Sequence, residues 1–429
     1  MHIAQFVQRY PPALGGSEAY TARLCEYLAA RGDTADVWTT TAVELGEFWR
    51  ANPERERRGH PANHPVAHAP GSPVVRRFAP AHFPLRRYIL KALSLAPIRP
   101  LQCLTSPCNP VCPMMWRAAS LYAGPLDAVH ATAFPYSFPI ACGLRLARRR
   151  GVPFFLTPFL HLGDDRTRRQ YTSPHLRWLL KQADRVFVQT QLERDAVREL
   201  GVPDERVILQ GLGVDPAECT GGNRDSVRRA WGVKPGECVF GHLANNSAEK
   251  GTVDLLKAAN GRFRVVLAGP EMPNFRAFWD TFPHKASVTR LGVLSEDQKR
   301  DFFAGIDAFA LPSRSDSFGL VLLEAWANAK PNVVYRSGGP GELVRHGIDG
   351  LHAENVAELG KRLGKLAKDE RLRRSLGDNG LSRLGEFRWA DKLDIVRNEL
   401  HAAEARTPGR DVRPARGPLC GLASRQVRV

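Results

Sequence analysis

No apolar run in this chain approaches the ~20 residues that a membrane-spanning helix needs. Its start, Met1-His2-Ile3-Ala4-Gln5-Phe6, opens directly into a strand, without the basic, apolar and small-residue succession of a secretory leader. Cytoplasmic residence is the default expectation, extended to a peripheral contact with the inner face of the membrane. Cysteine is thinly spread, eight in 429 residues, as in proteins with reduced, mostly buried thiols. The one local group, Cys103, Cys108 and Cys112, has spacings that fit no common zinc knuckle and no fourth ligand at a usual distance. No metal site is expected. No Gly-x-Gly-x-x-Gly follows the first strand, which removes an oxidoreductase reading. Acidic residues are outnumbered, 44 against 61 Lys and Arg, for a net charge of +17. That surplus suits anionic nucleotide sugars, an anionic membrane surface or nucleic acid. No aromatic platform interleaves with the Arg residues as single strands require, and no nucleic-acid partner is expected.

What is present centres on residues 308–350. An apolar run, Ala308-Phe309-Ala310-Leu311, has the length and type of a buried parallel strand. Pro312-Ser313-Arg314-Ser315-Asp316-Ser317 breaks it, and Phe318-Gly319 leads into a helical stretch over 320–329. A second strand over 332–335 follows Pro331, and Ser337-Gly338-Gly339-Pro340-Gly341 reads as the next turn. Such a unit sets loops and helix N-termini at the carboxyl edge of a parallel sheet, where α/β proteins bind phosphorylated ligands. Asp316 in the loop and Glu324 in the helix can face one crevice. Carboxylates only accept hydrogen bonds, and paired oxygens hold vicinal hydroxyls. Glu324 lies among Leu322, Leu323, Ala325 and Trp326, a costly place for a charge without a ligand or partner. A turn Asp and a surface helix Glu would be the plain alternative for the pair taken alone.

The ordered set Pro312-Ser313, Asp316, Phe318-Gly319, Glu324, Ala325-Trp326-Ala327 and Pro331 resembles the C-terminal signature of retaining GT-B glycosyltransferases of family 4, the glycosyl transferases group 1. Two positions depart from that pattern. Asp316 stands for the first Glu, one methylene shorter, and Ala329 stands for the customary Gly before Lys330-Pro331.

Upstream, a strand over 3–7 runs through Pro11-Pro12-Ala13-Leu14-Gly15-Gly16 into a helix over 17–31, with a second strand over 36–40. A glycine pair at a helix N-terminus suits anion binding, and it resembles the family's N-terminal glycine loop, which lies near donor phosphates and acceptor. An irregular stretch begins at Phe48 and runs to about residue 77. The next segment, 83–95, mixes basic and apolar residues at helical spacing; it is expected as an ordinary surface helix, with a membrane-surface or acceptor-binding helix as alternative. His130 and His161 fall at carboxyl ends of predicted strands, facing the expected cleft, and His161 resembles the family's cleft histidine. Further on, Lys250 is expected at the start of a helix, where ammonium and helix dipole together neutralise a diphosphate. The Arg that commonly precedes this Lys by five residues is Asn245 here, and His242 follows a glycine where an Arg often sits. Ser295 with Gln298 reads as a capping box.

The resemblance covers residues 1 to about 403 and implies an α/β GT-B architecture: two Rossmann-like domains, 1–215 and 216–384, facing across a cleft. A crossover helix over 385–405 would pack back on the first domain. The tail, 406–429, is Pro-, Gly- and Arg-rich and expected to be disordered. It also implies metal-independent transfer of a sugar with retention, from a UDP- or GDP-linked sugar as co-substrate and without a cofactor. The acceptor would be a glycan, a lipid-linked or a small molecule. His161, Asp316 and Lys250 would be catalytic. Gly15, Gly16, Lys250, Asp316, Ser317, Phe318, Gly319, Leu320 and Glu324 would bind the donor, with Gly292, Val293 and Leu294 against the base. A non-catalytic relative that binds a sugar nucleotide or a partner enzyme remains the alternative.

Overall fold

The computed structural model describes residues 1–52, 73–93, 95, 96, 98, 101 and 109–405. Cys103, Cys108, most of the irregular stretch after Phe48 and the basic tail lie outside the described residues.

Short apolar runs form two parallel sheets. The first holds β1 (His2–Phe6), β2 (Thr34–Thr40), β3 (Val74–Phe78), β4 (Ala128–Thr132), β5 (Phe154–Thr157), β6 (Arg185–Val188) and β7 (Val207–Leu209), in the order β3-β2-β1-β4-β5-β6-β7. The second holds β8 (Val239–Leu243), β9 (Arg264–Ala268), β10 (Val288–Arg290), β11 (Ala308–Leu311), β12 (Asn332–Tyr335) and β13 (Gly350–Ala353), in the order β10-β9-β8-β11-β12-β13. Central strands such as β4 and β11 are buried along their whole length, because helices cover both faces of each sheet. In each sheet the winding reverses once, between β1 and β4 and between β8 and β11. Loops leaving the carboxyl ends of the strands part at such a point and open a crevice.

The last helix, Trp389–Ala405, crosses back to the first sheet's helices. Arg397 Nε meets Asp33 Oδ2 at 2.7 Å, and Tyr27 donates to the Ala390 carbonyl at 3.1 Å. Asp33 is 5% exposed, so this ion pair is anchored in a poorly solvated site.

Several local expectations are corrected. Gly338–Leu343 is a short helix rather than a turn, since Ser337 takes the extended N-cap position and Pro340 suits a first turn. The helix expected over 320–329 stops at Ala327, and Ala329 adopts φ +52°. That is the left-handed conformation in which glycine is strain-free. Lys250 precedes the helix Thr252–Ala259 instead of starting it, with Gly251 as N-cap at φ +78°. A Cβ on Gly251 would stand 2.1 Å from the Pro312 carbonyl oxygen, so only glycine lets the two loops close on each other.

Candidate active site

The two loops beside the second sheet's switch point carry the charged centre. The loop after β8 brings Lys250, and the loop after β11 brings Asp316, whose carboxylate accepts a hydrogen bond from the Lys250 ammonium. The loops are also tied through main chain. Ser313 and Ser315 hydroxyls both donate to the Glu249 carbonyl, at 3.4 and 3.3 Å. Burial would raise the Asp316 carboxyl, but the Lys250 ammonium, helped by Ser313, holds it below the ordinary carboxylate value. Only Oδ1 is engaged; Asp316 Oδ2 is buried without a hydrogen-bond partner.

A second pair repeats the arrangement. Glu324 projects from the helix Leu320–Ala327, and Lys299 reaches it from the helix Glu296–Gly305, Nζ to Oε1 at 2.9 Å. Burial alone would lower the Lys299 ammonium, yet Glu324 and Glu296 leave it above its ordinary value. Again one oxygen is spare: Glu324 Oε2 is buried and unpartnered. A buried acceptor left unsatisfied costs about 1–3 kcal/mol. Two of them at one sheet edge mark places where hydroxyl donors belong.

The edge of the first sheet reaches the same centre through the loop after β5. His161 lies close enough to Lys250 and Asp316 for both charges to act on it, and its ring stacks on Tyr171 at 4.5 Å. Burial first, then the Lys250 ammonium, push its pKa down to about 3, so the imidazole is neutral at physiological pH. Glu193 fixes this loop by accepting from the amides of Leu160 and Gln189 at 2.6 and 2.7 Å. Gly163 then passes against the other half: Ser337 Oγ donates to its carbonyl at 2.5 Å. Glu342 accepts from the Gln191 and Leu192 amides, both at 2.6 Å.

The helix Gly16–Ala30 has no side-chain cap, and a Cβ on Gly16 would meet nothing within 4 Å. Gly16 therefore borders open space, whereas a Cβ on the neighbouring Gly15 would stand 2.2 Å from Glu18 Oε2, whose carboxylate is held by Arg9. The helices that start at Thr252 and Leu320 also lack side-chain caps. By contrast, Asp164, Thr190, Asn223, Ser295 and Asn355 each cap a helix elsewhere, Ser295 with the expected capping box.

The other expected residues separate into groups. Ser317 to Leu320 form the turn into the Glu324 helix; Phe318 is buried edge-on against Phe387 at 6.3 Å, and the Gly339 amide donates to the Asp316 carbonyl at 3.1 Å. Gly292, Val293 and Leu294 follow β10, just before the helix that carries Lys299, with Val293 52% exposed. His130 is corrected. It does not face the cleft but lies inside β4, its ring nitrogens engaged by Gln5 and Thr157 at 2.8 Å each, and burial drops its pKa to about 3. His242 is likewise internal, bonded to the Ala310 carbonyl and Thr252 at 2.8 and 2.9 Å, and Asn245 is exposed. Sequence reasoning missed Lys299, which reads as the partner of Glu296 in an ordinary i,i+3 surface pair. Among the described residues no group of three His, Cys, Asp or Glu is placed to hold a metal ion.

Two family models match this chain in succession: a glycosyl transferase 4-like domain over residues 15–213 and glycosyl transferases group 1 over residues 223–383. The chain belongs to the glycosyl transferases group 1. The D-inositol 3-phosphate glycosyltransferase of Pseudarthrobacter chlorophenolicus is 28% identical over 314 residues, 67% of this chain and 73% of that protein. An uncharacterized glycosyltransferase of Methanocaldococcus jannaschii is 39% identical over 104 residues, 24% of this chain and 30% of that protein. Solved structures share the fold at low identity. Sucrose-phosphate synthase from Thermosynechococcus elongatus superposes with a TM-score of 0.73 at 18% identity, over 95% of this chain and 100% of that one. Anabaena HepE, in complex with UDP and glucose, gives 0.68 at 18% identity, over 93% and 99%. The glycosyltransferase architecture is GT-B: two parallel Rossmann-like sheets, each with one switch point.

Proposed function

We propose that the protein transfers a sugar from a nucleotide-sugar donor to an acceptor hydroxyl with retention of anomeric configuration, in glycan, polysaccharide or glycolipid assembly. The observation that carries this reading is the repeated carboxylate–ammonium pair with one buried, unpartnered oxygen, at Asp316 and at Glu324. Asp316 Oδ2 would accept from hydroxyls of the donor sugar, and Glu324 Oε2 from the ribose. Gly292 to Leu294 would lie along the base. Lys250 has three N–H groups and spends one on Asp316, so the others can bind diphosphate oxygens. With the uncapped N-termini at Gly16, Thr252 and Leu320, it would stabilise the charge that develops on the departing diphosphate. Neutral His161 would hydrogen-bond the transferred sugar or the incoming hydroxyl without adding charge. The UDP and glucose in HepE favour a UDP-linked donor here.

A thermal-shift screen with UDP, GDP, ADP and their sugar conjugates tests the donor site, and NMR of the product tests retention. A melting shift with one nucleotide, lost in Lys250→Ala and Glu324→Ala, is expected. Binding without turnover across glycan, lipid-linked and small-molecule acceptors would favour the non-catalytic reading. No stabilisation by any nucleotide would refute the donor site itself.

A further inference from the structure

The two halves of the protein meet in a seam beside His161, and two residues of opposite kinds make it. Gly163 is the first. A Cβ there would stand 2.0 Å from the Arg314 carbonyl oxygen and 2.9 Å from Ser337 Oγ, both in the second half. Gly338 answers from that half, where a Cβ would lie 3.5 Å from the Gly163 Cα. Gly163 lies outside the left-handed region, so its own backbone tolerates a side chain. Only the approach of the other half requires glycine.

Glu342 is the second. Its carboxylate crosses to the helix Gln191–Glu199, where Oε1 and Oε2 accept from the Gln191 and Leu192 amides at 2.6 Å each. The first half caps the next amide itself, through Thr190 Oγ1 and the Glu193 amide at 3.1 Å. Two first-turn amides are thus filled by a carboxylate that arrives only when the halves close. Glu193 ties both contacts into one unit, because it holds the Leu160 amide before His161 and the Gln189 amide before the helix. We propose that Gly163 and Glu342 are positioning residues, whose joint seating on the second half fixes His161 against the Asp316–Lys250 pair. Their effect on rate rests on the transfer reading above, whereas the seam itself does not. Donor binding draws its charged groups, Lys250, Asp316 and Glu324, from the second half, so the seam should govern transfer more than nucleotide affinity.

The test is hydrogen–deuterium exchange of the full chain at the Gln191 and Leu192 amides, paired with steady-state rates and UDP titration. Gly163→Ala touches neither amide, yet it should speed their exchange at least about tenfold by holding the halves apart. Gly163→Ala and Glu342→Ala should each lower kcat by about 10–10²-fold, the scale for a misplacement near 1 Å. UDP affinity should stay nearly unchanged, and Glu342→Gln, which keeps one acceptor oxygen, should recover part of the rate. An unchanged melting temperature would show that the variants fold. Exchange unaltered by Gly163→Ala would overturn the proposal, as would faster exchange with full kcat in both variants. A wild type that neither binds UDP nor turns over a donor would refute the transfer reading instead, and exchange would still decide whether Gly163 and Glu342 close one seam.

Discussion

At the edge of the second sheet, charge is abundant and tethered. Lys250 sits on Asp316, Lys299 sits on Glu324, and each carboxylate keeps one oxygen in reserve. At the edge of the first sheet, charge is cancelled. Glu18 is consumed by Arg9 at 2.7 Å and by Gln8 and Ser17, His161 is neutral, and His130 is enclosed in its strand. The contrast matches the two halves of a transfer reaction. A nucleotide sugar brings a diphosphate and many hydroxyls, which fixed cations and bare carboxylate oxygens recognise. An acceptor brings a hydroxyl that must react, and strong fixed charge beside it would bind without selecting.

The largest effect that would break the contrast is at Lys250. Lys250→Ala should reduce kcat by about 10²–10³-fold, the scale for losing one group that stabilises developing charge. Steady-state rates with saturating donor measure it. Acid comes next, and it acts on the first edge and the core together. His130 and His161 have folded pKa values of about 3 and His242 of about 4, all driven down chiefly by burial. Their contribution is complete above the unfolded value near 6.5 and is lost as pH falls from there, because the unfolded chain takes up the protons first. Each should cost up to about 1.4 kcal/mol per pH unit. Chemical denaturation between pH 7 and 5 reads the slope, and His130→Gln should make it shallower. Asp316 works in the opposite sense to a buried neutral acid: its lowered value adds stability that disappears only below the ordinary carboxylate range.

His130→Ala should cost about 2–3 kcal/mol of stability, since it orphans Gln5 and Thr157 and leaves a cavity. His161→Ala, which loses one ring contact and no hydrogen-bond partner that the structure shows, should cost less stability than His130→Ala and lower kcat/KM. The two variants together separate a core histidine from a cleft histidine. Lys299→Met should weaken nucleotide binding by about threefold to tenfold, provided the pair positions Glu324 rather than merely neutralising it. Ala329→Gly is the mildest change. Relief of the left-handed strain at φ +52° should stabilise by about 0.5–1 kcal/mol, measured by urea denaturation.

Legibility in the sequence followed the same divide. The second edge announces itself because Asp316, Gly319 and Glu324 lie within one strand-loop-helix, so local order in the chain is also order in space. Both switch points, by contrast, arise from strand order, which no local pattern records. His130 and His161 look alike in sequence, each at the end of an apolar run. Only the side-chain partners separate them: Gln5 and Thr157 enclose one, and the loop held by Glu193 carries the other to Lys250. Lys299 was hidden because its partner Glu324 lies 25 residues away on another helix. The helix Arg86–Leu93 lies at the surface as expected, but its anchor could not be read, since an Arg that binds two main-chain carbonyls is indistinguishable in sequence from one that faces water.

The most direct test of the divided cleft is calorimetric titration of UDP and GDP into the wild type, Glu324→Ala and His161→Ala. One nucleotide should bind the wild type, at least about tenfold more weakly to Glu324→Ala, and with unchanged affinity to His161→Ala. Equal losses in both variants, or full affinity in Glu324→Ala, would contradict the assignment of the donor to the second sheet's edge.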